Sequence, residues 1–407
     1  MATAYTNATL HTAAGSAIED GTLVVDGGKI IAVGTAGAPK GADVVDLDGA
    51  IVWPGMIDCH SHAGVASTGD WNDHDVNEMS EKVTPHVRVL DAIHPADQAF
   101  DDARRAGVTL LGITHGSGNV IGGQVAACKT AGMVADEMVI KEPAGVKMAL
   151  GENPKRVGDR LKRAPTTRMG NAYLAREAFV AAQEYKLDWE HHEARVAAES
   201  AKPEDKRKPV RPPSRDLGKE ILVRVLDGEI PIRNHAHRLD DIRTAIRLSE
   251  EFGYRLVLDH ATEAYKIPDE IVSRGIMLAI GPVGAARGKR ETRHRTSASA
   301  GLMVAAGATV AVMTDAPVDP VQHLRDMAII SIRDGLPQDR ALETITINAA
   351  KILGVEDRVG SLEVGKDADF IVFEADPWDA RSPVVATYID GKKVFEYDGP
   401  WVPATEV

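Results

Sequence analysis

Histidine and aspartate residues stand at the ends of four apolar segments of this sequence, and both residue types can bind a divalent metal. The residues in these positions are His60 and His62, His235 and His237, His260, and Asp315. Because residues two apart in a strand point the same way, both rings of a His-x-His pair can face one metal. A single polar residue at a strand end is ordinarily structural, but four such ends are poorly explained by packing alone. The pattern therefore predicts a metal site built where strands end.

The cysteine content narrows the ligand chemistry of this site. Only Cys59 and Cys128 occur among 407 residues, too few for a disulfide framework or a Cys-rich zinc module, and we expect both in the core. Imidazole and carboxylate ligands without thiolates suit Zn²⁺, with Fe²⁺, Mn²⁺ or Co²⁺ as alternatives. A metal bound by histidines lowers the pKa of its coordinated water to about 7, so one or two such ions would supply hydroxide at neutral pH.

The elements that must position these residues lie in the middle of the chain, at about 56–355. Short apolar segments alternate there with helical stretches such as Arg238–Phe252. The predicted strands are Val108–Ile113, Ala144–Leu150, Ile230–His235, Arg255–His260, Met277–Ile280 and Thr309–Thr314. Alternating strands and helices over roughly 300 residues predict an α/β fold, a (β/α)8 TIM-like barrel whose active site lies at the carboxyl ends of its strands. A doubly wound open sheet is the competing fold.

Both ends of the chain have the composition of β structure. Asp26-Gly27-Gly28 separates two β-branched runs, and Asp390-Gly391 separates two more near the carboxyl end, which indicates hairpins. Strands of this kind at both ends predict one small domain that the two ends build together. We therefore expect a composite β-sandwich domain from 1–55 and 356–407 beside the barrel of 56–355.

The distribution of charge limits the classes of partner. The chain has 47 Lys and Arg against 60 Asp and Glu, a net charge of -13, so nucleic acid and anionic membranes are unfavourable partners. A charged stretch near 184–220 is expected to form a solvated helix and an exposed loop, with a lid or an oligomer contact as the alternative. We find no signal peptide and no membrane-spanning run. We expect a cytoplasmic homo-oligomer that acts on a small-molecule substrate.

The segment Trp53-Pro-Gly-Met-Ile-Asp-Cys-His-Ser-His62 resembles the first-strand signature of the amidohydrolase superfamily. The amino-terminal hairpin, the segment 360–372 and the final β segment resemble the composite sandwich domain of the same superfamily. The order His-x-His, His, His, Asp is similar to that of the imidazolonepropionase-like and prolidase-like branch. The resemblance covers nearly the whole chain and implies a metal-dependent hydrolase.

The resemblance also implies a role for each strand-end residue. The implied ligands are His60 and His62 on strand 1, His235 on strand 5, His260 on strand 6 and Asp315 on strand 8. His237 is then a catalytic or substrate-contacting neighbour. Between strands 2 and 5, some relatives have a ligand glutamate and others a carboxylated lysine that bridges two metals. Of the two residues available here we favour Glu152, which stands just past an apolar run, and Lys147 inside that run is the alternative bridging ligand.

The ligand set implies hydrolysis of a C–N bond in an amide, a cyclic amide or a dipeptide-like substrate by a metal-bound hydroxide. Asp315 would take the proton of the attacking water and pass it to the leaving nitrogen, while the metal, or a nearby donor such as His237 or Arg238, polarises the carbonyl. Two alternatives remain. A deaminase of the same superfamily is disfavoured because Arg238 stands where those relatives carry the glutamate of His-x-x-Glu. A catalytically inactive metal-binding relative is disfavoured because Asp315 is present.

Further residues are candidates for substrate contact. His115 lies in the Gly-rich stretch 115–124, for which we predict a barrel loop close to the pocket, and Glu263 closely follows a predicted strand. Together with Arg238 they form the predicted substrate-binding set. The basic stretch 287–295 is expected to be a solvated loop, with binding of a substrate carboxylate as its alternative.

Overall fold

The computed structural model describes residues 1–68 and 74–399, and these residues contain two sheets of eight strands each. The strands are β1 Thr3–Leu10, β2 Ile18–Asp26, β3 Lys29–Gly34, β4 Asp43–Asp46, β5 Ile51–Pro54, β6 Met56–Ser61, β7 Val108–Ile113, β8 Ile121–Lys129, β9 Val139–Ala149, β10 Ile232–Ala236, β11 Leu256–His260, β12 Met277–Ile280, β13 Val310–Val312, β14 Phe370–Phe373, β15 Ala386–Ile389 and β16 Lys392–Glu396. The α-helices are α1 Gln98–Arg105, α2 Ala135–Met138, α3 Glu152–Arg160, α4 Arg168–Ser200, α5 Leu217–Leu226, α6 Leu239–Phe252, α7 Pro268–Val272, α8 Ser299–Ala305, α9 Leu324–Arg333, α10 Gln338–Thr344 and α11 Ile347–Leu353. One sheet forms the barrel, and the other joins the two ends of the chain.

The sheet of the chain ends has the strand order β16-β15-β14-β5-β1-β2-β3, and β4 pairs with β1. The turn between β2 and β3 passes through Gly27 and Gly28 at φ angles of 55° and 79°. The turn between β15 and β16 passes through Asp390 and Gly391 at 49° and 70°. Two central residues with positive φ give a tight turn whose twist matches that of the flanking strands. Both predicted hairpins are confirmed by the antiparallel pairing of their strands.

The barrel sheet has the order β13-β12-β11-β10-β9-β8-β7-β6. Strands β9 to β13 are parallel neighbours, and β6 is parallel to β7. Just past the ends of β6 and β13 the backbone of Asp315 donates to His60 O at 3.2 Å, and that of His62 donates to Ala316 O at 2.7 Å. These two bonds bring the first and last strands together, so the sheet is a nearly closed barrel and the open-sheet alternative is excluded.

Strand β8 departs from the regular barrel pattern. The sequence predicts a loop over 115–124, and this prediction is wrong from Ile121 onward, where β8 begins. β8 is antiparallel to both neighbours because the connections 114–120 and 130–138 are each too short for a parallel crossover. The glycines that suggested a loop make room for neighbours instead: a Cβ at Gly122 would lie 2.5 Å from Nδ1 of His115, and one at Gly123 would lie 2.7 Å from Val87.

Helices cover the outside of the barrel. α6 matches the predicted helix and ends at Gly253, whose φ of 76° terminates it in the left-handed conformation. The charged stretch near 184–220 consists of the second half of α4, a largely exposed segment and the start of α5. Among residues 1–68 and 74–399, every helix is too short or too polar to traverse a lipid bilayer.

A buried lysine joins the barrel to the sheet of the chain ends. Lys129, the last residue of β8, has its Nζ 2.8 Å from Asp367 Oδ2, 3.1 Å from Asp369 Oδ1 and 2.5 Å from Asp390 Oδ1. The side chains of Lys129, Asp367 and Asp369 are each at most 5% exposed. Burial raises the pKa of Asp369 to about 6, and the carboxylates raise that of Lys129 although its burial acts in the opposite direction.

We predict that Lys129→Met lowers the free energy of unfolding by about 3–5 kcal/mol, because it leaves the buried carboxylate of Asp369 without its cation. Chemical denaturation at pH 7 measures this loss. The control is Lys40→Met, since Lys40 is exposed and forms no ion pair with the residues that the structure describes. Equal stability of the two variants would contradict the structural role of Lys129.

Candidate metal centre

The predicted metal ligands converge at the carboxyl ends of the barrel strands. His60 lies in β6 and His62 just beyond it, His235 lies in β10, and His260 is the last residue of β11. Asp315 follows β13. His260 and Asp315 have φ angles of 66° and 56°, values that non-glycine residues adopt rarely and mainly at functional sites. The barrel therefore gathers at one point the residues that the sequence placed at strand ends.

Two overlapping groups of donor atoms form at this point. His60, His260 and Asp315 each offer one donor atom within 4.8 Å of the others, and so do His235, His237 and His260. Nε2 of His60 lies 3.2 Å from Asp315 Oδ1, and Nε2 of His62 lies 3.3 Å from the same oxygen. His260 belongs to both groups, so the two groups of donors adjoin at this residue.

Each of three rings is held by an oxygen on one nitrogen, which leaves the other nitrogen toward the centre. Nδ1 of His62 donates to Thr114 O at 2.7 Å, and Nδ1 of His260 donates to Gly281 O at 2.9 Å. Nδ1 of His237 lies 2.7 Å from the Thr262 hydroxyl. Fixing one ring nitrogen in this way sets the orientation of a ligand histidine.

The donor set fits a divalent metal. Burial, together with the neighbouring rings, holds the pKa of His235 and His237 well below the usual range, and burial lowers that of His260 to about 3. These rings are therefore neutral, and those of His235 and His260 each keep a lone pair for a metal. His235 Nδ1 is buried and has no hydrogen-bond partner among the described residues. For Asp315 burial opposes ionisation, but nearby His260 and hydrogen bonds from His60 and His62 keep its pKa well below the usual range, so the group is an anionic metal ligand.

A buried ion network lies directly beneath these donors. Asp259, one residue before His260, has Oδ1 2.6 Å from Nη2 of Arg233 and Oδ2 3.1 Å from Nδ1 of His60. Nζ of Lys147 lies 3.4 Å from the same Oδ2 and 3.4 Å from Nε2 of His60. Burial lowers the pKa of Lys147 even though Asp259 favours its charged form. The amine of Lys147 is thus in contact with a metal-site histidine.

Glu152 lies at the rim rather than at the centre. It is the first residue of α3, its carboxylate is 2.8 Å from Arg156, and its backbone nitrogen donates to Glu291 Oε2 at 2.9 Å. Neither group of donor atoms in the described residues includes it. The two candidates for the additional ligand therefore occupy different places, Lys147 against His60 and Glu152 against the exposed Arg156.

The three predicted substrate contacts are also distributed around the rim. Both ring nitrogens of His115 are engaged, since Nδ1 donates to Gly116 O and Nε2 accepts from the backbone of Glu78. Arg238 is half-buried and forms two hydrogen bonds with Asp240. The carboxylate of Glu263 accepts from the backbone nitrogen at the start of α6. Both ring nitrogens of His115 are thus occupied by backbone hydrogen bonds, which leaves neither of them for a substrate.

Sequence reasoning missed several charged residues that shape the centre. Asp259 and Arg233 form the buried network, and Glu291 lies with Oε1 3.9 Å from Nε2 of His237 while its side chain is fully buried. Within the expected solvated loop of 287–295, Glu291 is buried and Arg295 is half-buried, so that prediction is wrong for part of the stretch. The one available signal was the position of Asp259 directly before a strand-end histidine.

The chain is similar to known proteins along nearly its whole length. It matches an amidohydrolase from Thermotoga maritima of known structure with 38% identity and a TM-score of 0.90, over 97% of this chain and 100% of that one. The chain belongs to the amidohydrolase family. Residues 227–395 of this amidohydrolase also match the family model described as "Amidohydrolase family". Members of this family hydrolyse C–N bonds of small molecules, typically with a divalent metal.

Two curated relatives extend this result. An amidohydrolase of Hapsidospora irregularis is 31% identical over 88% of this chain, which spans only 38% of that relative's length. An imidazolonepropionase of Pseudomonas aeruginosa is 27% identical over 94% of this chain and 92% of its own. The predicted similarity to the imidazolonepropionase-like branch is therefore confirmed. The name of the Pseudomonas relative specifies a substrate, whereas the name of the Hapsidospora relative does not.

We predict that His260→Asn abolishes stable zinc binding, because this residue contributes to both groups of donors. The measurement is the metal content of protein that has been loaded with zinc and passed through a desalting column. His191→Asn, which changes an exposed histidine of α4, is the matched control and should keep full metal content. Zinc retained in the His260 variant at the level of the control would remove this residue from the ligand set.

Proposed function

We propose that this amidohydrolase hydrolyses a C–N bond in an amide, a cyclic amide or a dipeptide-like small molecule with the help of one or two divalent metals. The observation that carries the proposal is that two histidines meet Asp315 at one point. Oδ1 of Asp315 lies 3.2 Å from Nε2 of His60 and 3.3 Å from Nε2 of His62. His260 belongs to the same group of donors. His235 supplies a further donor. We propose Zn²⁺ as the metal because the donors are imidazoles and carboxylate.

Asp315 has the position and the charge for proton transfer. A divalent metal, when bound, lowers the pKa of a coordinated water to about 7. The carboxylate of Asp315 is held as an anion and faces the space that the histidine rings enclose, so it can accept a proton from water there. Once the oxygen of that water has bonded to the carbonyl carbon, Asp315 can return the proton to the nitrogen, which leaves as the C–N bond breaks.

His237 has the geometry to assist the carbonyl group. When the Thr262 hydroxyl donates to its Nδ1 at 2.7 Å, Nε2 carries the proton and can donate it. The ring centre of His237 lies 4.8 Å from that of His260, so a substrate carbonyl at the centre is within its reach. A neutral donor in this place stabilises the negative charge that develops on the carbonyl oxygen.

We predict that Asp315→Asn lowers kcat by about 10² to 10⁴-fold, the range typical of a lost general acid–base group. A suitable panel consists of dipeptides, N-acyl amino acids, hydantoins and imidazolones, assayed by release of amine and, separately, of ammonia. Asp339→Asn, an exposed aspartate on α10, is the control. Undiminished turnover in the Asp315 variant would overturn its role. Ammonia as the product would replace the proposal with deamination, and metal binding without turnover of any compound would leave an inactive relative.

We further propose that Lys147, in a carboxylated form, supplies the additional ligand, because its Nζ lies 3.4 Å from Nε2 of His60 while Glu152 pairs with Arg156. We predict that Lys147→Met lowers the number of metal ions bound per chain and that Glu152→Gln does not. Metal analysis of both variants gives the number of ions per chain. ¹³C NMR of the protein without substitutions, kept in ¹³C-labelled bicarbonate, detects a carbamate on Lys147. Loss of metal in the Glu152 variant alone would reverse the assignment.

A further inference from the structure

A large cavity lies beside the metal centre, at the same end of the barrel. Its volume is about 1110 Å³, more than the roughly 300–1,000 Å³ typical of small-molecule sites. Its walls come from the segments that connect β9, β10, β11 and β12 to the next strand of the barrel. Arg238 in the wall is the next residue after His237, and the backbone of Glu263 in the wall donates to His237 O at 3.0 Å. The cavity is therefore adjacent to the residues that hold the reacting group.

The charge of this cavity is opposite to that of the protein. Nine Lys or Arg residues and four Asp or Glu residues line it, in a chain whose net charge is -13. Each of the four acids already has a cation nearby. The pairs are Glu152 with Arg156 at 2.8 Å, Asp240 with Arg238 at 2.7 Å, Glu263 with Lys266 at 3.0 Å and Asp159 with Lys162 at 4.0 Å. The lining therefore has no acid left to balance its other cations.

Four of the lining cations remain without a counter-charge. Lys155, Arg247, Arg290 and Arg293 form no ion pair with any residue in 1–68 or 74–399. They come from α3, α6 and the loop between β12 and α8, so they surround the cavity from different sides. Cations gathered around a concave surface produce a strong positive potential there, which concentrates anions. A feature of this kind in an acidic protein indicates an anionic ligand.

We propose that this cavity binds an anionic extension of the substrate, a group that carries several carboxylates or a phosphate and is joined to the part that contains the C–N bond. The inference rests on the proposed function, because it places the bond to be cleaved at the metal centre next door. The volume accommodates an extension longer than that of a simple dipeptide. Long arginine side chains bind carboxylate and phosphate oxygens in pairs, which favours both chemistries equally.

Binding of three N-acetyl tripeptides to the metal-loaded protein tests the proposal by calorimetry. One peptide contains only glutamate, one contains a phosphoserine between alanines, and one contains only alanine. We expect at least one anionic peptide to bind about tenfold or more tightly than the alanine peptide, with an advantage that shrinks as NaCl is added. The anionic peptide that binds better identifies carboxylate or phosphate as the preferred group. Equal affinity of all three peptides would overturn the proposal.

A triple variant, Arg247→Gln, Arg290→Gln and Arg293→Gln, locates the binding. We expect it to lose the preference for anionic peptides, whereas a control with the same change in net charge, Lys40→Gln, Arg211→Gln and Lys392→Gln, keeps it. All six residues are exposed, and Lys155→Gln offers a second, single change in the cavity if the triple variant does not fold. A preference that survives in the cavity variants would overturn the proposal.

These measurements separate this inference from the proposed function, since binding requires no turnover. Retained preference for anions without hydrolysis of any C–N substrate would remove only the proposed function. Hydrolysis of uncharged amides with no preference for anions would remove only the cavity's role.

Discussion

The buried carboxylate of Asp259 connects the strands that carry the metal-site residues. It accepts from Arg233 on β10 at 2.6 Å, lies 3.1 Å from His60 on β6 and lies 3.4 Å from Lys147 on β9. Removing such charges from water costs several kcal/mol per ion, and only close mutual contact offsets that cost. The barrel interior is thus organised by charge balance as well as by apolar packing. The position of His60, and with it the geometry of the centre, depends on this one group.

A second constraint acts at the ends of the strands. Backbone carbonyls of Thr114 and Gly281 hold the rings of His62 and His260, so the directions of these ligands are set by the chain itself. Positive φ angles at His260 and Asp315 are unfavourable by about 1–3 kcal/mol each, and the surrounding bonds maintain them. The backbone therefore sets the geometry of the centre, and ligands held in this way need little reorganisation to bind a metal.

The sequence allowed the barrel and its strand-end histidines to be predicted because both follow from local patterns. An apolar run that ends in a polar residue is visible in one short window. The network around Asp259 was not predictable in this way, because Arg233 and Lys147 are 26 and 112 positions away and meet it only through strand register. Strand β8 was missed because Gly122 and Gly123, needed for close packing, have the composition of a loop. The distinction between Lys147 and Glu152 likewise depends on depth in the barrel, which the sequence does not encode locally.

The pairing of β5 with β14 has a consequence for the order in which this chain folds. Strand Ile51–Pro54 is completed by Phe370–Phe373, which leaves the ribosome more than three hundred residues later. Until then one edge of β5 exposes unpaired backbone groups that can pair with another chain. The sheet of the amino-terminal strands therefore stays incomplete along this edge while the entire barrel is synthesised. Production of this protein is most vulnerable to aggregation in that interval, before its last strands emerge.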